Sequence, residues 1–548
     1  KYVLLSFLLY LSMLYDYIII GAGSAGCVLA NRLSENPAHK VLLIEAGGPD
    51  SKMEINIPGA YSKLNHTEVD WAFWTEPSEA IDNRKLFIPR GKVLGGCSAT
   101  NAMAYVRGNK KDYDDWAALG NEGWDYASVL PYFKKSENNQ NFDGEFHGKD
   151  GPMYVSHAAS PSNVATAFVE ACAEQGIQHN PAYNGAEQLG ACLLQFTIKN
   201  NQRHSTAAAF LKPILKRKNL MVLTHTYVKR ILLESGAAVG VEVKNKNGQT
   251  EIYNCNKEVI VSAGTIQSPQ ILMLSGIGDV NELSKHGIIA VKHLPGVGKN
   301  LQDHVWSGAS ALASVPTGND LLKPTKMVMA GLQHLLFKTG PLSNSPLEAN
   351  AFLKIEEDGS LGEGQPNIQF HFVPLTIKPD YSTDIYNVNT YPTYSGFSIM
   401  SIVLHPKSRG QVKLKSSNPS ESPSIQLNPL SDIDDRTMLV KGLKKAIEVL
   451  HSPAFDALKE GEMLLPKAPV SDQIINEHIN KSLETLYHPV GTCKMGNDAQ
   501  AVVNHELKVH GVANLRVIDA SIMPSIVSGN TNAAAIMIAE KGADMIIG

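Results

Sequence analysis

Cross-linking cysteine, one-signed charge and long apolar runs are all scarce in this 548-residue chain. Its six cysteines, Cys27, Cys97, Cys172, Cys192, Cys255 and Cys493, are dispersed and form no CxxC pair. That spacing argues against a disulfide framework or a zinc site, so no metal is expected, and it fits a reducing compartment. Lys and Arg number 49 against 53 Asp and Glu, and the net charge of −4 gives no reason to expect nucleic acid or an anionic membrane as partner. No solenoid or propeller repeat and no low-complexity tract is visible. Residues 2–14, YVLLSFLLYLSML, are apolar but shorter than the usual span of about 20 residues, and no small-residue cleavage site follows them. The chain begins on Lys1, and Met13 stands just before the first apolar strand, so this stretch reads as an extension upstream of a start at Met13 rather than as a membrane-attached leader. A cytoplasmic location is expected, with peripheral membrane attachment the less favoured choice.

What is present describes a globular protein, with 43% apolar and 19% charged residues. Single cores stop growing near roughly 250–300 residues, so more than one domain is expected. The most informative stretch is 15–48, YDYIIIGAGSAGCVLANRLSENPAHKVLLIEAGG. An apolar strand, Tyr15 to Ile20, breaks into a loop with Gly21, Gly23 and Gly26. A helix-compatible segment follows, and a second apolar strand, Val41 to Ile44, ends on Glu45. Gly21 permits the turn, Gly23 lets backbone approach a pyrophosphate, and Gly26 lets helix and strand pack closely. The helix start offers free N–H groups to phosphate, and an acid about 20 residues past the glycines accepts a ribose hydroxyl. This order predicts dinucleotide binding.

Further along, 138–162 reads as a surface connection and 219–261 as short strands. A helix is expected near 325–338, a strand at 366–375, strand-like alternation over 397–428, and an amphipathic helix at 434–452. A strand at 515–520 and a helix at about 531–547 look like returns to the nucleotide-binding unit. Four other segments stand out. RGKVLGGCSATNAMAYVRGN, 90–109, leaves backbone bare at Gly91, Gly95 and Gly96, which suits a loop wrapping a flat cofactor or an irregular turn. GTIQSPQILMLSGIG, 264–278, carries a helix start at Ser268 and Pro269. In LYHPVGTCKMG, 486–496, the proline holds the backbone of His488 extended. In VIDASIMPSIVSGNTNAAAIMIAEKGADMI, 517–546, Asn530 and Asn532 precede an apolar helix, where capping is their structural reading.

These segments, in this order, resemble the glucose-methanol-choline (GMC) family of flavin oxidoreductases over nearly the whole chain. Within it the look is of choline dehydrogenases and related bacterial FAD-dependent alcohol dehydrogenases. Gly264–Gly278 fits the family's second signature. Gly91–Tyr105 fits the first, except that Cys97 stands where Gly, Ser or Thr is usual. The resemblance implies an α/β fold, in which a Rossmann-like FAD-binding domain (14–155, 219–310 and 479–548) is interleaved with a substrate domain. The latter, 311–478 with a substrate-side segment at 156–218, is built on an antiparallel sheet with helices.

FAD is the implied cofactor. By the resemblance, Gly21, Gly23, Ser24 and Gly26 hold its pyrophosphate, and Glu45 with Ala46 the adenosine ribose. Val228 meets the adenine, and Val93, Gly95, Gly96, Asn101, Ala102 and Met103 run along the flavin. Asp519 and Ala520 contact the pyrophosphate and ribityl region, and Asn532 closes over the isoalloxazine. His488 matches the catalytic histidine and Asn532 its partner. The implied reaction oxidises a primary alcohol to an aldehyde: a neutral imidazole takes the hydroxyl proton while hydride passes to flavin N5. An electron acceptor (oxygen, a quinone or another carrier) completes the cycle. Thr100 occupies the place of the histidine that links flavin covalently in some members, so non-covalent FAD is expected. Glu348, Tyr487, Trp71 and His371 are candidates for the substrate pocket, the acid and the rings being parts that would hold choline by cation–π attraction. Choline oxidation is therefore the alternative activity, with cyanohydrin cleavage and fatty-acid photodecarboxylation, each known in a branch of the family, more remote.

Overall fold

The computed structural model describes residues 14–548, so the question of an upstream leader, residues 1–13, lies outside the described residues. The chain opens with β1 (Leu14–Ile20), α1 (Ser24–Leu33) and β2 (Val41–Ile44). It then passes through loops, short strands and two helices, Lys110–Ala118 and Tyr126–Ser136, to α2 (Asn163–Glu174) and β3 (Gly190–Leu193), and comes back as β4 (Leu220–Leu223), β5 (Tyr227–Glu234), β6 (Ala237–Lys244), β7 (Thr250–Val261) and α3 (Gly264–Leu274). Next come β8 (Val305–Ala313), α4 (Pro324–Phe337), β9 (Ala349–Leu353), β10 (Ile368–Val373), β11 (Gly396–Val403), α5 (Ile433–Leu450) and β12 (Lys459–Leu465). It ends with β13 (Leu515–Val517) and α6 (Asn532–Ile547). The architecture is α/β, as the sequence predicts.

Two large sheets result. The first runs β4–β2–β1–β7–β6–β5, with β13 joined to β7. Its β4, β2, β1, β7 and β13 pairings are parallel, whereas β5, β6 and β7 form an antiparallel meander. The twelve-residue β7 serves both parts: Thr250–Asn254 pair with β6, and Val259–Val261 pair with β13. Ile18, Ile19 and Leu43 are fully buried, as expected of parallel strands covered on both faces. α6 lies against α1, and Arg32 ties them through an ion pair of 2.7 Å to the buried Glu540.

The second sheet is antiparallel, in the order β12–β8–β11–β10–β9–β3. Its alternation decides what the site is made of. On β10, Ile368, Phe370 and Phe372 enter the core with α2 and α5, which places His371 and Val373 on the opposite face. On β11, Phe397 and Ile399 point to the core, and Ser398 and Met400 the other way. His371, Met400 and Gly308 pair across three strands.

Two local expectations change. The helix starting at Ser268 and Pro269 instead begins at Gly264, leaving Pro269 inside α3. Proline has no N–H for the Thr265 carbonyl four residues back, and the Thr492 hydroxyl supplies that hydrogen bond at 2.6 Å. The connection at 138–162 holds strands at 137–139 and 153–157, with Asn139 fully buried. Among the described residues no helix is long and apolar enough to cross a membrane.

Candidate active site

Both sheets contribute to one cavity of about 690 Å³, within the range of small-molecule sites. β1 delivers Gly21 at φ +98°, a conformation that favours glycine. Where Gly23 would carry a Cβ there is open space, so backbone at the start of α1 faces the cavity together with Ser24. Gly26 does not line it: a Cβ there would stand 1.9 Å from the Gly21 carbonyl oxygen, and the residue serves close packing of helix on loop. Glu45, at the end of β2, accepts the N–H of Ala22 and of Gly47, each at 2.8 Å. Burial pushes its carboxyl up to about 7 against the pull of these bonds. Each carboxylate oxygen keeps a second lone pair, so a ribose hydroxyl can still be accepted. Ala46 and Val228 line the same region.

The 90–105 loop closes onto the first. A Cβ on Gly96 would meet the Gly23 Cα at 2.7 Å, so the two glycine loops touch. Asn101, Ala102 and Met103 line the cavity, and the Asn101 side-chain oxygen is held by the Met103 N–H (3.0 Å) and Arg203 (2.9 Å). Val93 and Gly95, expected along the cofactor, stand behind this wall. Val93 pairs its backbone with Gly48, which sends its side chain among Ile55, Leu64 and Val69. Gly95 turns its N–H onto the Ala22 carbonyl at 2.8 Å. Asp519 and Ala520 reach the cavity after β13, the aspartate accepting the Gly264 N–H (2.9 Å) and the Ser521 N–H (2.8 Å).

His488 sits in the cavity wall after Tyr487, whose φ of +66° is a strained left-handed conformation for a non-glycine. The Thr485 hydroxyl accepts the Tyr487 N–H, and Asp303 accepts that of His488 at 2.7 Å. The ring belongs to a chain of hydrogen bonds. His304 Nε2 is 3.0 Å from the Leu404 carbonyl oxygen, which can only accept, so that nitrogen carries the proton. Burial pushes His304 down to about 3, keeping it neutral, so its Nδ1 is a lone pair. His488 Nδ1, 3.0 Å away, must then donate to it. The proton of neutral His488 is therefore on Nδ1, and Nε2 is left as a free base. Burial, with His304, His371 and Arg90 beside it, holds His488 well below the ordinary imidazole value.

Nε2 faces the side-chain nitrogen of Asn530 at 3.2 Å. This corrects the pairing expected from the sequence. Asn532, the first residue of α6, also lines the cavity, but its side-chain oxygen accepts the Ser24 hydroxyl at 2.6 Å. The side-chain oxygen of Asn530 is buried without a partner among the described residues. Sequence reasoning misses His304 and Asp303; the only signal for them is the LQDH run after a glycine turn.

Of the expected pocket residues, Tyr487, Trp71 and His371 line the cavity. Both ring nitrogens of fully buried His371 lack partners among the described residues, and burial pushes it down to about 3. The Trp71 ring already carries Lys92, 4.6 Å from its centroid. Glu348 does not reach the cavity: its carboxylate accepts the backbone N–H (3.0 Å) and the hydroxyl of Ser162, which caps α2. The acidic residues that do line the cavity include Glu484, but Arg84 neutralises it at 2.7 Å and Tyr386 donates to it at 2.9 Å.

The left-handed Gly21, the open helix start, the acid with lone pairs to spare and the unpartnered Asn530 oxygen together fit a flavin dinucleotide. Comparison with known proteins agrees. A family model described as GMC oxidoreductase matches residues 15–306, and a second of the same description matches 406–539. An alcohol dehydrogenase [acceptor] of Pseudomonas putida is 41% identical over 97% of this chain and 96% of that one. Human mitochondrial choline dehydrogenase is 42% identical over 97% and 90%. The crystal structure of pyridoxine 4-oxidase from Mesorbium loti superposes with a TM-score of 0.87 at 31% identity, over 97% of this chain and 98% of that one.

Proposed function

The chain belongs to the GMC oxidoreductase family, and from that premise we propose that it oxidises a neutral primary alcohol to the aldehyde with His488 as general base. It is a flavin-dependent oxidoreductase acting on CH–OH donors, and its cofactor is FAD. It therefore takes a small-molecule substrate and an electron acceptor. When bound, FAD supplies the two-electron acceptor for the hydride leaving the alcohol carbon.

The chain's own residues do the rest. Nε2 of His488 takes the hydroxyl proton as the C–H bond gives up its electron pair, and the carbon–oxygen double bond forms. Being held neutral by burial, the imidazole is available as a base at neutral pH. His304 and the Leu404 carbonyl keep the ring in the tautomer whose base faces the cavity. Asn530, whose amide donates to Nε2 in the absence of substrate, would turn to hydrogen-bond the substrate oxygen as negative charge grows on it and Nε2 takes the proton. His371 on the cavity wall offers a second polar contact. The Leu404–His304–His488–Asn530 chain is the observation that carries this reading.

Choline is the less supported substrate, because Glu348 is engaged by Ser162 and the Trp71 ring by Lys92. With Thr100 lining the cavity and no histidine in its place, we read FAD as non-covalent. The first sheet favours giving most of 14–155, 219–310 and 479–548 to the cofactor and the second most of 311–478, with 156–218, to the substrate, although β8 begins at Val305 and Glu484–Thr485 pairs with it, so both boundaries cut into the second sheet.

The test is anaerobic mixing of the purified flavoprotein with aliphatic, aromatic and furanic primary alcohols and with choline. Loss of the flavin band near roughly 450 nm with neutral alcohols is expected, and more slowly or not at all with choline. Failure of every alcohol to bleach it would falsify the proposal.

A further inference from the structure

A surface helix ordinarily buries its apolar stripe and turns its polar face to water. α4 does the reverse. Only Ala330 and His334 of its fourteen residues are buried, the histidine bonded to the Ser343 hydroxyl at 3.2 Å. On the outward arc stand Val328 (62% exposed), Met329 (69%), Leu332 (53%), Leu335 (58%) and Leu336 (68%), with Phe337 (70%) at the end. At 100° per residue the first five fall within one arc of about 120°, a continuous apolar ridge.

Lysines outnumber acids around the ridge. Between Asp320 and Glu348 the sequence holds Lys323, Lys326 and Lys338 and no acidic residue. Lys323 and Lys326 share Asp320 as partner, yet each side chain remains 48% exposed at the helix start, and Lys338 caps the end. The whole-chain charge of −4 conceals this local basic rim. A protruding ridge with lysines at both ends does not ask for a complementary groove. It asks for a soft apolar phase beneath an anionic surface, with long lysine stems reaching back to the headgroups. At about 1.5 Å per residue the helix is too short to cross a bilayer, so it would lie in the interface.

We propose that the outward face of α4 docks this protein on the surface of an anionic lipid bilayer. The site already described lies close along the chain. After α4, Leu342 packs on Gly59 in the turn that brings Tyr61 and Ser62 to the cavity, and Pro346 and Leu347 are part of the cavity wall. Docking would thus hold one wall of the cavity against the membrane.

The experiment is flotation of the FAD-loaded, full-length protein with phosphatidylcholine vesicles, with and without phosphatidylglycerol. Wild type is expected to float with the anionic vesicles. Leu332→Glu/Leu335→Glu should bind at least about ten-fold less while keeping its flavin and its turnover of a water-soluble alcohol. Ile289→Glu, at an 86% exposed position off this helix, should float like wild type. Leu335→Trp provides an independent reading, since the fluorescence of the introduced indole should be quenched by brominated lipid. The proposal is overturned if wild type does not float, if the double variant floats as well as wild type, or if the Leu335→Trp variant shows no quenching. A double variant that turns a dimer into a monomer, with no vesicle binding by wild type, would instead assign the ridge to a second copy of the chain.

Discussion

Replacing His304 separates geometry from basicity at the proposed base. His304→Leu removes the acceptor that holds the proton on His488 Nδ1 and should lower kcat by about ten- to a hundred-fold with little change in KM, whereas His304→Asn, which can still accept, should recover part of it. His488→Ala should cost about 10²- to 10⁴-fold in kcat/KM while the protein stays yellow. The pH profile has a definite sign. Only neutral His488 can take the proton, and burial with its neighbours holds it below the usual value of about 6.5. Activity should therefore persist below that pH and fall only as pH drops through the lowered value, and His371→Leu should shift the acid limb of kcat/KM. Asn530→Ala should reduce kcat far more than Asn532→Ala, whose partner is Ser24 and whose loss should show first in flavin retention. Steady-state kinetics on flavin-replete protein distinguish these outcomes.

At the scale of elements, α3 depends on a hydroxyl supplied from a remote loop. Thr492→Val leaves the Thr265 carbonyl buried without a donor and should destabilise the protein by about 1–3 kcal/mol in urea titrations. Gly26→Ala would drive a methyl group into the Gly21 carbonyl, so loss of flavin binding is expected even where the chain folds. These elements also mark where sequence was legible. The strands at 14–20, 41–44 and 220–261 announce themselves by apolar runs between turn residues, and the glycine spacing at 21, 23 and 26 needs no tertiary knowledge. Ser268–Pro269 misleads, because a proline at a helix start and one rescued from position 492 look alike in one dimension. The two asparagines at the start of α6, Asn530 and Asn532, are equally ambiguous: both suit a helix start, and only the fold shows which one faces His488. Glu348 is misread for a similar reason, since its partner Ser162 is far away in sequence.

For the whole molecule, the cofactor contributes to stability because it binds only the assembled site. The first sheet needs β1, β7 and β13 from distant parts of the chain before the glycine loops can meet. Stripping FAD should lower Tm, and re-adding it at about 1,000 times its Kd should restore roughly 4 kcal/mol, read as a thermal shift that grows with FAD concentration. Acid precipitation should release the yellow colour into the supernatant; colour held in the pellet would reveal a covalent bond to the protein.

The two-residue alternation on β8, β10 and β11 has a consequence for how such an enzyme can diversify. Exchanging Gly308 and His371, which line the cavity, should admit a different alcohol while Phe370, Phe372 and Ile399, one step along the same strands, go on holding the fold; Met400 lines the cavity too but also packs in a buried cluster with Phe352 and Ile402. Selectivity and foldability are thus largely written on opposite sides of one ribbon, so a library confined to positions 308 and 371 should change substrate preference with less penalty in expression than one that includes Met400.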